Sequence, residues 1–242
     1  MCDTCGCGMP SHEHAHEYES DHDGHVIELE MNVLAKNDVY AAANREHLAS
    51  RGAVAINMIS SPGAGKTTLL QQSLNQLKDW RPLAVVEGDL QTDNDARRIQ
   101  GVGVPVHQIN TNNGCHLDAH MVGHAYEHLS LATGSLVFIE NVGNLVCPAG
   151  FDLGENATVV LLSVTEGDDK PAKYPVAFVN AQVMVITKTD LLPYVDFSMD
   201  RCKEFARAVN PDLEIIECSS RTGDGMDGWV AWVKRLANQV AS

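Results

Sequence analysis

The densest chemistry in this sequence lies in Ser60-Ser61-Pro62-Gly63-Ala64-Gly65-Lys66-Thr67-Thr68, directly after the aliphatic run Val54–Ile59. Gly63, Ala64 and Gly65 are small enough for consecutive backbone N–H groups to wrap a phosphate chain. A helix opening behind them would add the partial positive charge of its N-terminus. Lys66 is spaced to reach the terminal phosphates, the Thr67 hydroxyl to sit on Mg²⁺, and Thr68 completes the phosphate-facing set. The letters follow G-x-x-x-x-G-K-[ST], except that Ser60 stands where the first glycine falls. A Gly-rich turn that binds nothing is the competing reading, disfavoured because strand, loop, Lys-Thr and helix coincide.

Farther on, Thr187-Lys188-Thr189-Asp190 follows another aliphatic run and resembles N-K-x-D, with Thr187 in place of Asn. The Asp190 carboxylate can accept from both N1–H and the exocyclic amine of guanine, which adenine cannot supply, and the Lys188 stem can pack on the ring. Ser219-Ser220, after the last strand, resembles the loop whose backbone N–H reaches guanine O6. Asp89 in Glu87-Gly88-Asp89 and Glu140 in Ile139-Glu140-Asn141-Val142-Gly143 are expected to coordinate Mg²⁺ or orient water. Gly143 is positioned to offer its N–H to the γ-phosphate. Asp93 and Asp95 fall in an expected first switch, or cap the helix after it.

A second chemistry belongs to the thiols. Cys2-Asp3-Thr4-Cys5-Gly6-Cys7 places three within six residues, and C-x-x-C thiolates chelate one soft or borderline ion such as Ni²⁺ or Zn²⁺. A thioredoxin-like redox pair would need a βα context that this stretch lacks. His12, His14 and His16 add a looser imidazole tract. Inside the chain, Cys115-His116 and the distant Cys147 offer a three-ligand set, and Cys147 follows the segment expected to respond to the γ-phosphate. His116, His120, His124 and His128 recur every fourth residue, as a stripe along one helix. Only the first two are expected to share a metal environment; a polar surface stripe is the reading for His124 and His128.

These groups need a scaffold. At 242 residues and 44% hydrophobic, the chain supports one sizeable α/β core. Residues 1–30 read as a Cys/His-rich metal-binding tail, because the first 25 hold three Cys, five His and six acidic residues but no Lys or Arg. So little apolar surface cannot offset the entropy of ordering. Residues 31–242 read as the catalytic domain, entered by a helix over Met31–Arg51. Seven aliphatic runs, several without polar alternation, predict strands buried on both faces; helical stretches over Thr67–Lys78, His116–Leu129, Met199–Val209 and Met226–Gln239 are the crossovers. The expectation is a doubly wound, mostly parallel α/β sheet with ligands at the carboxyl ends of its strands. The net charge of −15 argues against nucleic acid as partner. The sequence shows neither a spanning run nor a signal peptide, and reads as cytoplasmic.

The phosphate loop, Cys115-His116-Leu117-Asp118-Ala119, Glu140 through Pro148, and Thr165-Glu166-Gly167-Asp168-Asp169-Lys170 together resemble the HypB family of hydrogenase nickel-incorporation GTPases, from about Met31 to the C-terminus. Cys2, Cys5 and Cys7 resemble the high-affinity nickel motif of some members. The resemblance implies a SIMIBI-class P-loop GTPase that dimerises with GTP and holds Ni²⁺ or Zn²⁺ through Cys115, His116 and Cys147. It further implies a small zinc-containing nickel metallochaperone as partner and the [NiFe]-hydrogenase large subunit as recipient. An ATP-dependent small-molecule kinase would have no need of Asp190 or the thiols. A nickel-storage protein on a nucleotide-binding scaffold would bind metal without appreciable hydrolysis.

Overall fold

The computed structural model describes residues 21–89, 99, 101–111 and 114–240. The chain divides into two units, Met1–Val33 and Leu34–Ser242. What is described of the first is helical, belonging to α1 (Asp21–Ser50), which begins earlier than the expected Met31.

The second unit is built on seven strands: β1 (Val54–Ser60), β2 (Leu83–Asp89), β3 (Val106–Asn110), β4 (Leu136–Gly143), β5 (Ala157–Ser163), β6 (Val183–Thr187) and β7 (Glu214–Glu217). They lie in the order β3-β2-β4-β1-β5-β6-β7, with every neighbouring pair parallel. All residues of β1 and β6 are buried, whereas the edge strands β3 and β7 contain none that is. The unbroken apolar runs therefore mark the centre of a doubly wound sheet, as the sequence predicted. From β1 the chain moves outward on one side and later returns to the other. This reversal of direction opens a crevice at the carboxyl end of β1.

On one face, α2 (Lys66–Leu77) and α7 (Met226–Val240) cover the centre with Leu69, Leu70, Leu74, Trp229 and Val233. Trp229 Nε1 donates to Ser73 Oγ at 2.7 Å, satisfying a buried indole N–H. The opposite face is shared. The α1 segment from Leu34 on and α3 (Ala119–Leu129) cover β2 and β4, while α4 (Lys170–Lys173), α5 (Pro175–Val179) and α6 (Met199–Val209) accompany β5 and β6. Sequence periodicity missed α4 and α5, which are too short to repeat and each carry proline in the first turn.

The buried stripe of α1 is Asn37, Ala41, Asn44 and Leu48, one helical face at i, i+4, i+7, i+11. Only Leu48 brings a large apolar side chain, worth roughly 1.5–3 kcal/mol when buried. The asparagines instead fasten chain: Asn37 Nδ2 donates to Asp152 O at 2.7 Å, and its Oδ1 accepts from Ala119 N at 2.9 Å. Asn44 Nδ2 donates to Ala119 O and Leu153 O at 2.8 and 2.9 Å.

One boundary bears directly on function. α3 starts at Ala119, not at the expected His116, because Asp118 is its N-cap and accepts from Met121 N at 2.8 Å. Cys115 and His116 thus belong to the turn before the helix. Likewise β3 begins after Pro105, which has no N–H for a ladder, rather than at Val104. Among the described residues no helix is long and apolar enough to cross a membrane.

Candidate nucleotide and metal site

The crevice beyond β1 holds a cleft of about 400 Å³ lined by Gly63, Gly65, Lys66, Thr67, Thr68, Glu87, Glu140, Asn141, Gly143 and Lys188 among others. Gly65 is the N-cap of α2 with φ of 98°, a conformation open to glycine, and no side chain caps the helix. The first N–H groups of α2 are therefore left for an anion. Lys66, 8% exposed, extends back along the loop, and its Nζ donates to Ser60 Oγ at 2.8 Å. The serine at the first glycine position so becomes a rest for the lysine. Lys188 Nζ donates to Gly63 O at 2.7 Å, and Lys170 Nζ reaches Ser61 Oγ at 3.1 Å while pairing with Glu166 at 3.2 Å. The segment Glu166–Lys170, which sequence reading left without a task, thereby braces the phosphate loop with a third cation.

Opposite the lysines, Thr67 Oγ1 donates to Glu140 Oε1 at 2.7 Å. Glu140 and Glu87 are 5% and 2% exposed and face each other across the β2–β4 ladder. Sequence reading favoured Asp89 in this segment; its backbone ends β2, and its side chain lies outside the described residues. Glu87 was missed, although an acidic residue in an otherwise aliphatic strand was the available signal. Two buried carboxylates and a threonine hydroxyl are hard oxygen donors, and this set fits Mg²⁺.

A second, mostly apolar cavity of about 220 Å³ adjoins the loop, lined by Gly65, Thr68, Thr187, Lys188, Asp190, Leu191, Ser219, Ser220 and Arg221. Ser219 Oγ donates to Asp190 Oδ1 at 2.6 Å and accepts from Arg221 N and Thr222 N, so the carboxylate and the last loop are fixed together. Thr187 is buried with its hydroxyl on Ala64 O at 2.6 Å. Its hydroxyl is committed to the phosphate loop, while the residue also lines this cavity.

Cys115, His116 and Cys147 converge: their ligand atoms lie within 4.8 Å of one another. Ligands of a tetrahedral ion at 2.0–2.3 Å are roughly 3.3–3.8 Å apart, so modest contraction closes the set. Cys115 is exposed, and hydrogen bonding with Cys147 pushes its thiol above the ordinary range. Burial lowers the pKa of His116, keeping its imidazole neutral as a ligand must be; its ring also rests on Phe151, centroids 4.0 Å apart. By contrast Cys202 and Cys218 are core thiols, pushed by burial to about 12 and about 11.

The two sites are joined through three residues. Asn141, next to Glu140, accepts on Oδ1 from Leu117 N at 3.1 Å and Val142 N at 3.0 Å, while its Nδ2 donates to Asn57 at 3.2 Å. Leu117 packs so closely on Gly88 that a Cβ there would fall 2.8 Å from it. Asn144 forms a bridge to Ser60 and donates to Cys115 O at 3.4 Å, three residues before Cys147. Cys2, Cys5, Cys7, the early histidines, Asp93 and Asp95 lie outside the described residues.

Residues 54–217 match the family described as CobW/HypB/UreG, nucleotide-binding domain. A hydrogenase maturation factor HypB of Azotobacter chroococcum mcd 1 is 55% identical over 210 residues, covering 87% of this chain and 69% of that protein. Among solved structures, HypB from Archaeoglobus fulgidus superposes with a TM-score of 0.79 at 38% identity, covering 84% of this chain and all (100%) of that one. HypB from Helicobacter pylori in complex with nickel gives the same TM-score, 0.79, and identity, 38%, over 84% of this chain and 96% of the other. With its phosphate loop, adjoining Asp190 cavity and Cys-His-Cys turn in one unit, the chain belongs to the HypB hydrogenase maturation factors of the P-loop GTPase class.

Proposed function

We propose that this protein is a GTP-hydrolysing metallochaperone that delivers nickel to the [NiFe]-hydrogenase large subunit, with GTP binding controlling a dimer and the release of metal. The observation that carries the reading is the path Thr67–Glu140–Asn141–Leu117, which ends beside Cys115 and His116. A group bound against Thr67 and Glu140 must compete for their 2.7 Å hydrogen bond, and any shift of Glu140 acts on the neighbouring Asn141 and hence on the metal turn.

In this reading the N-terminus of α2, Lys66 and Lys170 bind and neutralise the phosphates. Asp190 and Ser219 select guanine, and Gly143 contributes its N–H near the γ-phosphate. Thr67, Glu140 and Glu87, with Asp89 as the further candidate read from sequence, would hold Mg²⁺, which would supply charge neutralisation beside the phosphates. Glu140 also orients the attacking water. Cys115, His116 and Cys147 carry the nickel, or Zn²⁺, with a fourth position left for the acceptor; Cys2, Cys5 and Cys7 form a separate nickel site. A small zinc-containing metallochaperone supplies or receives the ion. The nickel-bound relative from Helicobacter pylori supports the choice of cargo.

The test is nickel affinity, by competition with a chelator, on the chain carrying Cys2→Ala, Cys5→Ala and Cys7→Ala, loaded with GDP or a non-hydrolysable GTP analogue. Delivery predicts distinct affinities in the two states. Equal affinities would sink the coupling and leave storage on a nucleotide scaffold.

A further inference from the structure

Every residue of β1 is buried, yet an asparagine stands in the middle of the strand. Asn57 is 1% exposed and lies beside Ile139 and Thr158 of the two neighbouring strands. A buried amide without partners is costly, so a carboxamide at the centre of a parallel sheet calls for bonds that an aliphatic residue could not make. Both ends have one. Asn57 Oδ1 accepts from Asn141 Nδ2 at 3.2 Å, and Asn57 Nδ2 donates to Glu155 Oε1 at 3.1 Å.

The direction of this chain of bonds is fixed at each end. On the cleft side, Asn141 meets two backbone N–H groups, of Leu117 and Val142, which only its Oδ1 can accept. Its Nδ2 must then point to Asn57. On the far side the Glu155 carboxylate is the acceptor, so Asn57 turns its own N–H there. Glu155 is itself held: Oε1 also accepts from Thr158 Oγ1, and Oε2 accepts from Leu153 N, each at 2.8 Å. The adjoining Asn156 is tied to β1, its N–H donating to Ala55 O and its Oδ1 accepting from Ala55 N, both at 2.8 Å. An anchored carboxylate thus orients Asn57, and Asn57 orients the amide directly after Glu140.

On the strength of the GTP-hydrolysis reading above, we infer that Asn57 is a positioning residue for that reaction, with Glu155 as its anchor. Asn57 does not line the nucleotide cleft, whereas Asn141 does. Through Asn141 it sets the end of β4 from Glu140 to Gly143, which carries the carboxylate bonded to Thr67 and the N–H assigned to the γ-phosphate. The phosphates are held chiefly by the loop and the start of α2. Misalignment of Glu140 and Gly143 therefore weakens stabilisation of the transition state more than binding of the ground state. The signature is a lower kcat at nearly constant KM.

The bond can be reversed without emptying the site. Asn57→Asp removes the donor and sets two carboxylates against each other. Glu155→Gln supplies a donor from the opposite side, so the double variant keeps the bond with donor and acceptor exchanged and still offers Asn141 Nδ2 an acceptor. Single-turnover phosphate release and affinity for a non-hydrolysable GTP analogue are measured on the full chain and these three variants. Amide hydrogen exchange at Leu117 and Val142 is followed in the same proteins without nucleotide. Asn57→Asp should slow release about tenfold, the lower end of what partners behind a functional group contribute, with analogue affinity changed by less than about twofold. Exchange at Leu117 and Val142 should quicken, and the double variant should recover both rate and protection. Asn57→Ala, which leaves Asn141 Nδ2 unpaired, should lose rate likewise and gain nothing from Glu155→Gln; it carries the test if Asn57→Asp does not fold. An unchanged rate, a loss that falls on affinity instead, unaltered exchange, or a double variant no faster than Asn57→Asp would each overturn the assignment. If the unmodified chain hydrolyses no GTP, the underlying reading fails and takes this role with it; hydrolysis that ignores the variants sinks this role alone.

Discussion

The nucleotide cleft and the metal turn, joined through Asn141, Leu117 and Asn144, are built to opposite specifications. Lys66, Thr67, Glu87 and Glu140 are each less than 10% exposed and issue from strand ends or from the first turn of a helix. Cys115 is exposed and Cys147 only partly covered, both on irregular chain held by a few side-chain bonds. Hydrogen bonds in the cleft are sheltered and geometrically fixed, as stabilisation of developing charge requires. The thiols sit where an ion can be handed over. In the proposed function this difference keeps the chemistry rigid and the cargo reachable, with Asn141 as a point where one is felt by the other.

The sharpest break between the two regions is expected from Lys66→Ala. Phosphate release should fall by about 10²–10³, the scale for removing one preorganised charge donor, with nickel affinity of the GDP-loaded chain unchanged. Single-turnover release and chelator competition measure the two arms. Cys147→Ala should do the reverse, lowering internal nickel affinity by more than about tenfold, the lower range seen even for groups behind a ligand, while GTP affinity stays put. Between them lies pH. Because hydrogen bonding with Cys147 raises the Cys115 pKa, the metal-free Cys115 thiol is protonated near neutrality and nickel must displace its proton. Affinity should therefore rise with pH, by up to about tenfold per unit for the Cys115 proton displaced, and level off only above the raised Cys115 pKa. Isothermal titration in buffers of different ionisation enthalpy counts the protons.

Asn141→Ala addresses the junction itself. It strips the buried Leu117 and Val142 N–H groups of their acceptor, and should cost about 1–3 kcal/mol of stability in urea unfolding. The gap between nickel affinities in the two nucleotide states should narrow. A gap of unchanged width would remove Asn141 from the coupling. The smallest effect is expected from Thr187→Asn, which keeps a donor for Ala64 O: the GTP-over-ATP preference should change little, because Asp190 and Ser219 remain bonded. A large gain in preference would mean that Thr187 faces the base after all.

The sheet was readable because its central strands are buried on both faces and therefore written as unbroken aliphatic runs. The phosphate loop was readable because its letters and its strand-helix context agree. Other features depend on partners distant in sequence and could not be read. α1 buries asparagines, so its packing face does not look apolar. Glu87 becomes a site residue only through its register with Glu140. The role of Lys170 depends on Ser61, which lies 109 residues away. The start of α3 was misjudged because the histidine repeat masked the stronger signal, Asp118 as N-cap.

The asparagine stripe of α1 also acts as a key cut for one lock. A helix held by leucines alone can slide along its groove and trade one set of contacts for a similar one. Here a slip of one turn, about 5.4 Å, would separate Asn37 and Asn44 from Ala119, Asp152 and Leu153 all at once. Intermediate positions satisfy none of them, so α1 is seated in one place or not at all. Because Ala119 opens the helix behind the Cys-His turn, that all-or-none seating sets the datum from which the position of the metal ligands is measured.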